Sequence, residues 1–176
     1  MHKPIKNTIN LFIDKLDKSG IGISLMQNKD VYLIPYALPG ETVKANIINK
    51  FKSKMYCSNL EILQNSSERS NNTCKHFTKC GGCLLQHWQY ENYKQWKFNL
   101  IRQPLLKLTP DIKTLDMIST ENFSRRRAKF FLRQNNNSCK LGFKKYKSET
   151  LININNCIII DPEIMKLMIE LKNAFN

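Results

Sequence analysis

Three cysteines share one short loop, Cys74-Lys-His-Phe-Thr-Lys-Cys80-Gly-Gly-Cys83, and a fourth, Cys157, stands far downstream. If these thiols hold a common group, the segments around residues 74–83 and 157 must meet, whatever the intervening chain does. Two glycines between the last pair let the backbone approach a metal closely and turn N–H groups toward it. Three thiolates on one loop with a distant fourth suit a cubane cluster, which needs one thiolate at each of four corners. Cys157 precedes a short apolar run, Ile158-Ile159-Ile160, that can dock it in a core.

Structural zinc more often uses two paired knuckles, which this sequence lacks. A zinc alternative still stands, because Cys74, Cys80, Cys83 and His87 form a Cys₃His set spaced like a short RNA-binding finger. A third reading leaves these cysteines uncoordinated. Cys57 and Cys139 are isolated and read as small apolar filler or surface thiols. The start, Met1-His-Lys-Pro-Ile-Lys-Asn, has no apolar stretch of the signal-peptide kind, so the expected compartment is the cytoplasm. Thiols are kept reduced there, which argues against a disulfide framework.

The 176 residues carry 28 Lys and Arg against 14 Asp and Glu, a net charge of +14. That excess points to a polyanionic partner, nucleic acid before an anionic membrane surface. A hydrophobic fraction of 41% allows a core and excludes a disordered basic tail. No apolar run approaches the roughly 18 residues that span a bilayer, so no membrane partner is expected.

Turn signals at Ser19-Gly20-Ile21-Gly22 and Leu38-Pro39-Gly40-Glu41 divide residues 1–64 into about five strands with short connections, predicting a small, closed or nearly closed antiparallel barrel. A polar stretch, residues 65–73, reads as a linker. Apolar positions then recur at helical spacing from Gln86 to Leu108, with Pro104 expected to kink or end the run. Strands follow at Arg125–Arg133, Lys140–Lys144 and Glu149–Asn155. Asp161 as N-cap and Pro162 at the first helical position open a last helix. Its predicted stripe, Ile164, Leu167, Met168, Leu171 and Phe175, runs to the end of the chain and reads as a truncation. Alternation on the Arg125–Arg133 strand would line up Arg125, Arg127, Lys129 and Arg133 with Phe131 among them. Lys144, Lys145 and Lys147 would extend the stripe. Cations for phosphates around a ring for a base are the means by which proteins hold single-stranded RNA.

The run from Cys74 to His87, with Tyr90 and Gln95-Trp96-Lys97, resembles the cluster segment of bacterial RNA uracil-5-methyltransferases. Gly20-Ile-Gly22 with Pro35-Tyr-Ala-Leu-Pro-Gly40-Glu41 resembles the TRAM domain that opens those enzymes. Arg125-Arg-Arg-Ala128, Leu141-Gly-Phe143, Ser148 and Cys157 followed by Pro162 resemble their central domain. The resemblance implies a mainly β protein with helices. It comprises a five-stranded, OB-like TRAM RNA-binding barrel over 1–64, a linker over 65–73 and an incomplete α+β iron–sulfur domain over 74–176. It implies a [4Fe–4S] cluster on Cys74, Cys80, Cys83 and Cys157, and structured RNA, 23S rRNA first, as partner. In the family, the S-adenosylmethionine-binding domain, the cysteine nucleophile that attacks uracil C6 and the base that removes the C5 proton all lie further along the chain. S-adenosylmethionine would therefore bind only a complete enzyme, and no catalytic residue is assigned. Ser124 stands where the family usually has Tyr. Gly20-Ile-Gly22 opens no helix and is not a cofactor loop. The rival is an RNA-binding adaptor that stands alone or is served by a separately encoded catalytic half.

Overall fold

In a computed structural model, residues 8–27, 29–71, 74–135 and 138–175 are described. Thr8–Phe12 (β1), Lys15–Leu16 (β2), Gly22–Leu25 (β3), Val31–Ile34 (β4), Thr42–Phe51 (β5) and Lys54–Gln64 (β6) form one sheet in the order β1-β5-β6-β4-β3-β2. Ile13-Asp14 separates β1 from β2, which makes six strands where about five were expected. β1 and β2 occupy opposite edges of this sheet, yet only two residues join them. A flat six-stranded sheet is about 24 Å wide, whereas so short a link spans roughly 10 Å. The sheet must therefore curl until its edges approach, giving a barrel-like half-closed form. Three register shifts between β5 and β6 help it coil. The β4–β6 pairing is parallel, so the sheet is not the purely antiparallel one expected.

Inside the curl, alternate residues of β5, Val43, Ala45 and Ile47, pack with Leu11, Ile13 and Ile34. Gly20 turns with φ +84°, and Gly22 lies in β3, where a Cβ would stand 3.0 Å from the carbonyl oxygen of Ile34. That close approach explains the second glycine by packing. Residues 66–70 are tied down as well: Ser70 N–H donates to the His87 carbonyl (2.8 Å), and Trp88 Nε1 donates to Glu68 Oε2 (2.7 Å). Tyr90–Leu108 is helix α1, and Pro104 lies within it rather than ending it. None of its residues is buried, and Ile101 is 65% exposed, so Trp96, Leu100 and Ile101, which the helical spacing reads as core or interface, form no core.

A second sheet pairs Phe131–Asn135 (β7), Ser138–Lys144 (β8) and Leu151–Asn153 (β9) in that order. Pro162–Ala174 is helix α2, capped by the Asp161 carboxylate, which accepts from Glu163 N–H at 2.9 Å. Its buried face is Met165 and Met168, packed with Leu141, Ile154 and Ile160. The predicted stripe is thus rotated, and Leu167, Leu171 and Phe175 are exposed. Among the described residues, no helix is long and apolar enough to cross a membrane. The contacts divide the chain into two units, Met1–Asn71 with Leu85–Leu115 and Asn72–Leu84 with Asp116–Asn176.

Candidate metal centre and nucleic-acid interface

All four cysteines of the predicted set belong to the second unit. The loop that carries the first three is pinned to β8, where Gly81 N–H donates to the Lys144 carbonyl at 2.9 Å. A Cβ on Gly81 would stand 2.9 Å from that same oxygen and from the Tyr146 nitrogen, so glycine is what lets loop and strand touch. Gly82 N–H donates to Cys80 Sγ at 3.3 Å, the inward-turned amide expected of the Gly-Gly pair. Cys157 lies on the segment before α2 and packs, like Cys80, against the Leu141–Ile160 core.

The four thiols are each half-buried. Burial pushes the Cys83 thiol up to about 11, with Cys157, Cys80 and Cys74 adding to the rise and Arg125 opposing it. Burial also raises Cys80, the Gly82 amide lowers it, and Cys157 and Cys74 raise it further. Residue 157 is therefore within electrostatic reach of the loop at 74–83. Among the described residues, no group of three or more His, Cys, Asp or Glu side chains is arranged to hold a metal ion as it stands. His87 is fully buried in the other unit, beside Glu41 and Arg69. Nothing favours its membership of a zinc set with Cys74, Cys80 and Cys83. Cys57 and Cys139 are buried, and burial raises the Cys57 thiol to about 11.

The basic stripe takes a different form from the one expected. Arg125 pairs through its backbone with Ile160, and the chain then runs without a ladder until β7 begins at Phe131. Arg125–Arg133 is thus not one strand, because the backbone changes partner, from residues 158–161 to β8. Arg125, Arg126 and Arg127 are exposed, and Arg125 Nε donates to the Arg127 carbonyl at 3.0 Å. Further along, Lys129 Nζ lies 5.4 Å and Lys144 Nζ 4.6 Å from the centre of the Phe131 ring. Arg133 follows two residues on, opposite Lys140. Lys145 is exposed. Charge alone did not identify Glu149, which pairs with Lys144. A hydrogen bond from Lys144, then its charge, holds that carboxylate below its usual range, with Arg133 adding a smaller pull.

Beside Cys157 an open cleft of about 440 Å³ is lined by Phe123, Asn156, Met165 and Ile169 among others. Phe123 is in the left-handed region at φ +61°, held by its N–H bond to the Ile158 carbonyl at 3.0 Å.

No protein-family model matches the chain. Its curated homologues are RNA methyltransferases. An uncharacterized RNA methyltransferase of Brucella melitensis is 32% identical over 167 residues, 95% of this chain and 39% of the relative. Some homologues carry a more particular name: the 23S rRNA (uracil(1939)-C(5))-methyltransferase RlmD of Shewanella denitrificans is 30% identical over 174 residues, 94% of this chain and 37% of the relative. The chain thus spans about two fifths of the length of the curated relatives it matches. Among solved structures, the Pyrococcus abyssi tRNA (uracil-54, C5)-methyltransferase in complex with S-adenosyl-L-homocysteine superposes with a TM-score of 0.61. That likeness covers 93% of this chain and 36% of that one at 20% identity, and it speaks for the fold.

Proposed function

We propose that this chain is the N-terminal, RNA-holding portion of an RNA uracil-5-methyltransferase acting on 23S rRNA, with a TRAM-type barrel followed by a domain that carries a [4Fe–4S] cluster. The observation that supports the reading is that Cys80 and Cys157, drawn from two distant segments, pack against the same Leu141–Ile160 core. Four thiols are the donor set a cubane takes. Each binds a separate iron, so such ligands stand farther apart than those of a single ion, and the lack of a one-ion site is compatible with the assignment. Bound there, the cluster would supply a covalent tie between the 74–83 loop and Cys157, with electron transfer as a secondary capacity. The chain's own residues do the rest: Gly82 N–H stabilises a thiolate at Cys80, and Arg125 favours one at Cys83.

RNA would be held by Arg125, Arg127 and Arg133 on phosphates, with Lys129, Lys144 and Lys145 around Phe131, whose ring offers a base a stacking surface. This helps present an unstacked uridine. Methyl transfer is assigned to the full-length protein, as the names of the homologues support, with S-adenosylmethionine as donor in view of the S-adenosyl-L-homocysteine in the Pyrococcus abyssi enzyme. Anaerobic purification tests the cluster. The chain is expected to be brown, with iron and acid-labile sulfide; Cys157→Ala loses both and His87→Ala keeps both. A colourless protein holding one zinc would overturn the assignment.

A further inference from the structure

The in-out alternation of β5 stops at Ile47, and from Ile48 to Lys54 seven consecutive residues are exposed. Their ladder continues, with Lys50 opposite Met55 and Phe51 opposite Lys54. The β5–β6 hairpin thus runs past the barrel core as a paired finger. At its tip Phe51 is 62% exposed, flanked by Lys50, Lys52 and Lys54. Lys52 Nζ lies 5.8 Å from the ring centre, and Lys52 makes the turn at φ +54°. Between Thr42 and Leu60 the sequence has four lysines and no acid. The tip is fixed to the neighbouring hairpin, because Val31 N–H donates to the Ser53 carbonyl at 2.9 Å. That neighbour displays Met26, 41% exposed, and Lys29.

A single exposed apolar residue needs no explanation. Here, however, a large ring sits on a hydrogen-bonded strand end that contributes nothing to the core, among cations and without a nearby acid on its own strands. The same grouping of lysines around a phenylalanine recurs at Phe131 in the other unit. We infer that the β5–β6 tip is a second single-stranded RNA contact, in which Phe51 stacks on a base while Lys50, Lys52 and Lys54 pair with the flanking phosphates. The inference rests on the reading of this chain as an RNA-binding protein, and it adds a site distant in sequence from the Arg125–Lys145 surface.

The test uses the full chain and a mixed-sequence, single-stranded 20-nucleotide RNA. Phe51→Ala should weaken binding about 5- to 20-fold, and Phe51→Tyr should stay within about twofold, because either ring offers a stacking face. The triple change of Lys50, Lys52 and Lys54 to Gln should make the log–log salt slope shallower by roughly 2. Phe51→Trp, read against the wild-type emission of Trp88 and Trp96, should be quenched by the RNA. Wild-type RNA binding with Phe51→Ala within twofold of it would overturn the tip site and leave the RNA reading standing. Absence of wild-type RNA binding would overturn both. A blue shift of the Phe51→Trp emission on phosphatidylglycerol vesicles, with no response to RNA, would assign the tip to a membrane surface and overturn the inference as well.

Discussion

Arg69 grips Glu41 with both ends of its fork: Nε reaches Oε1 at 2.5 Å and Nη2 reaches Oε2 at 2.8 Å. The carboxylate is fully buried and the arginine side chain 19% exposed. Leu38 N–H donates to Oε2 at 2.8 Å, and Arg69 Nη2 also reaches the Tyr36 carbonyl at 3.0 Å. The turn at residues 36–41 is thereby clamped to the segment that leads into the cysteine loop.

Breaking that clamp from one side should be costly, because a buried carboxylate would lose its partner. Arg69→Met is expected to lower unfolding free energy by about 3 kcal/mol in urea titrations, and adding Glu41→Gln should recover part of it. Burial alone would raise the Glu41 pKa, but the hydrogen bonds from Arg69 and Leu38 and the arginine's charge bring it below its ordinary 4.5. A depressed carboxylate contributes stability that is complete above about pH 4.5 and is lost as pH falls through the folded value. Glu41→Gln should remove that acid-side loss; a pH profile unchanged by the substitution would dissociate the pair from acid stability.

His87 titrates in a different window. Burial, then the charge of Arg69, lowers it from 6.5 to about 4, against a smaller pull from Glu41. Between those values the unfolded chain binds a proton that the folded one does not, so stability falls with acidification from pH 6.5 to pH 4. Wild type should lose about 2 kcal/mol between pH 7 and pH 5. His87→Leu should lose most of that dependence and keep only what His76, also lowered by burial, contributes, as urea midpoints at the two pH values would reveal.

Gly142 sits where β8 meets β9, and a Cβ there would lie 2.1 Å from the Ile152 carbonyl oxygen and 2.9 Å from the Ile154 nitrogen. Both neighbours are backbone and cannot rotate aside. Gly142→Ala should destabilise the second unit by about 2–4 kcal/mol. The loss should register as faster amide exchange in β8 and β9 with the barrel strands unaffected.

RNA affinity should fall steeply with salt, at a log–log slope of about −4 to −6 if 5–8 phosphates are engaged. Arg125→Gln together with Arg127→Gln should make it shallower by roughly 1 to 2 units, measured by anisotropy across a potassium chloride series. A slope insensitive to those arginines would place the contacts elsewhere.

The features legible in the sequence were those set by local chemistry. Asp161 and Pro162 announce α2 because capping needs only neighbours, and Val31–Ile34 reads as a strand from its own residues. The rest depended on partners remote in sequence. Arg125 and Phe131 lie on different pairings because the chain exchanges residues 158–161 for β8 between them, a change no alternation records. The face of α2 was misjudged by one position because Met165, flexible and unbranched, fills the core beside Leu141 and Ile160 while Leu167 does not. At the cysteines, spacing proposed the set Cys74, Cys80, Cys83 and Cys157, and all four lie in the same unit of the fold. Glu41 and Arg69 lie 28 positions apart, so their pairing had no local signal. Phe51 did leave one, the run Lys-Phe-Lys-Ser-Lys, which is a ring interleaved with cations.

The division of the chain into interleaved pieces bears on the order in which it can mature. The backbone passes from one unit to the other at Asn71, at Leu84 and at Leu115. All six barrel strands have been synthesised by Gln64, and the stem that closes behind the cysteine loop by Trp88. Cys157, of the same unit, arrives only 74 positions after Cys83. During translation, Cys74, Cys80 and Cys83 therefore emerge well before the rest of their unit, and no single cleavage point separates the two units. Any programme to express the two halves separately would have to reconnect Asn71 to Leu85 by a new loop and carry residues 72–84 across as a graft.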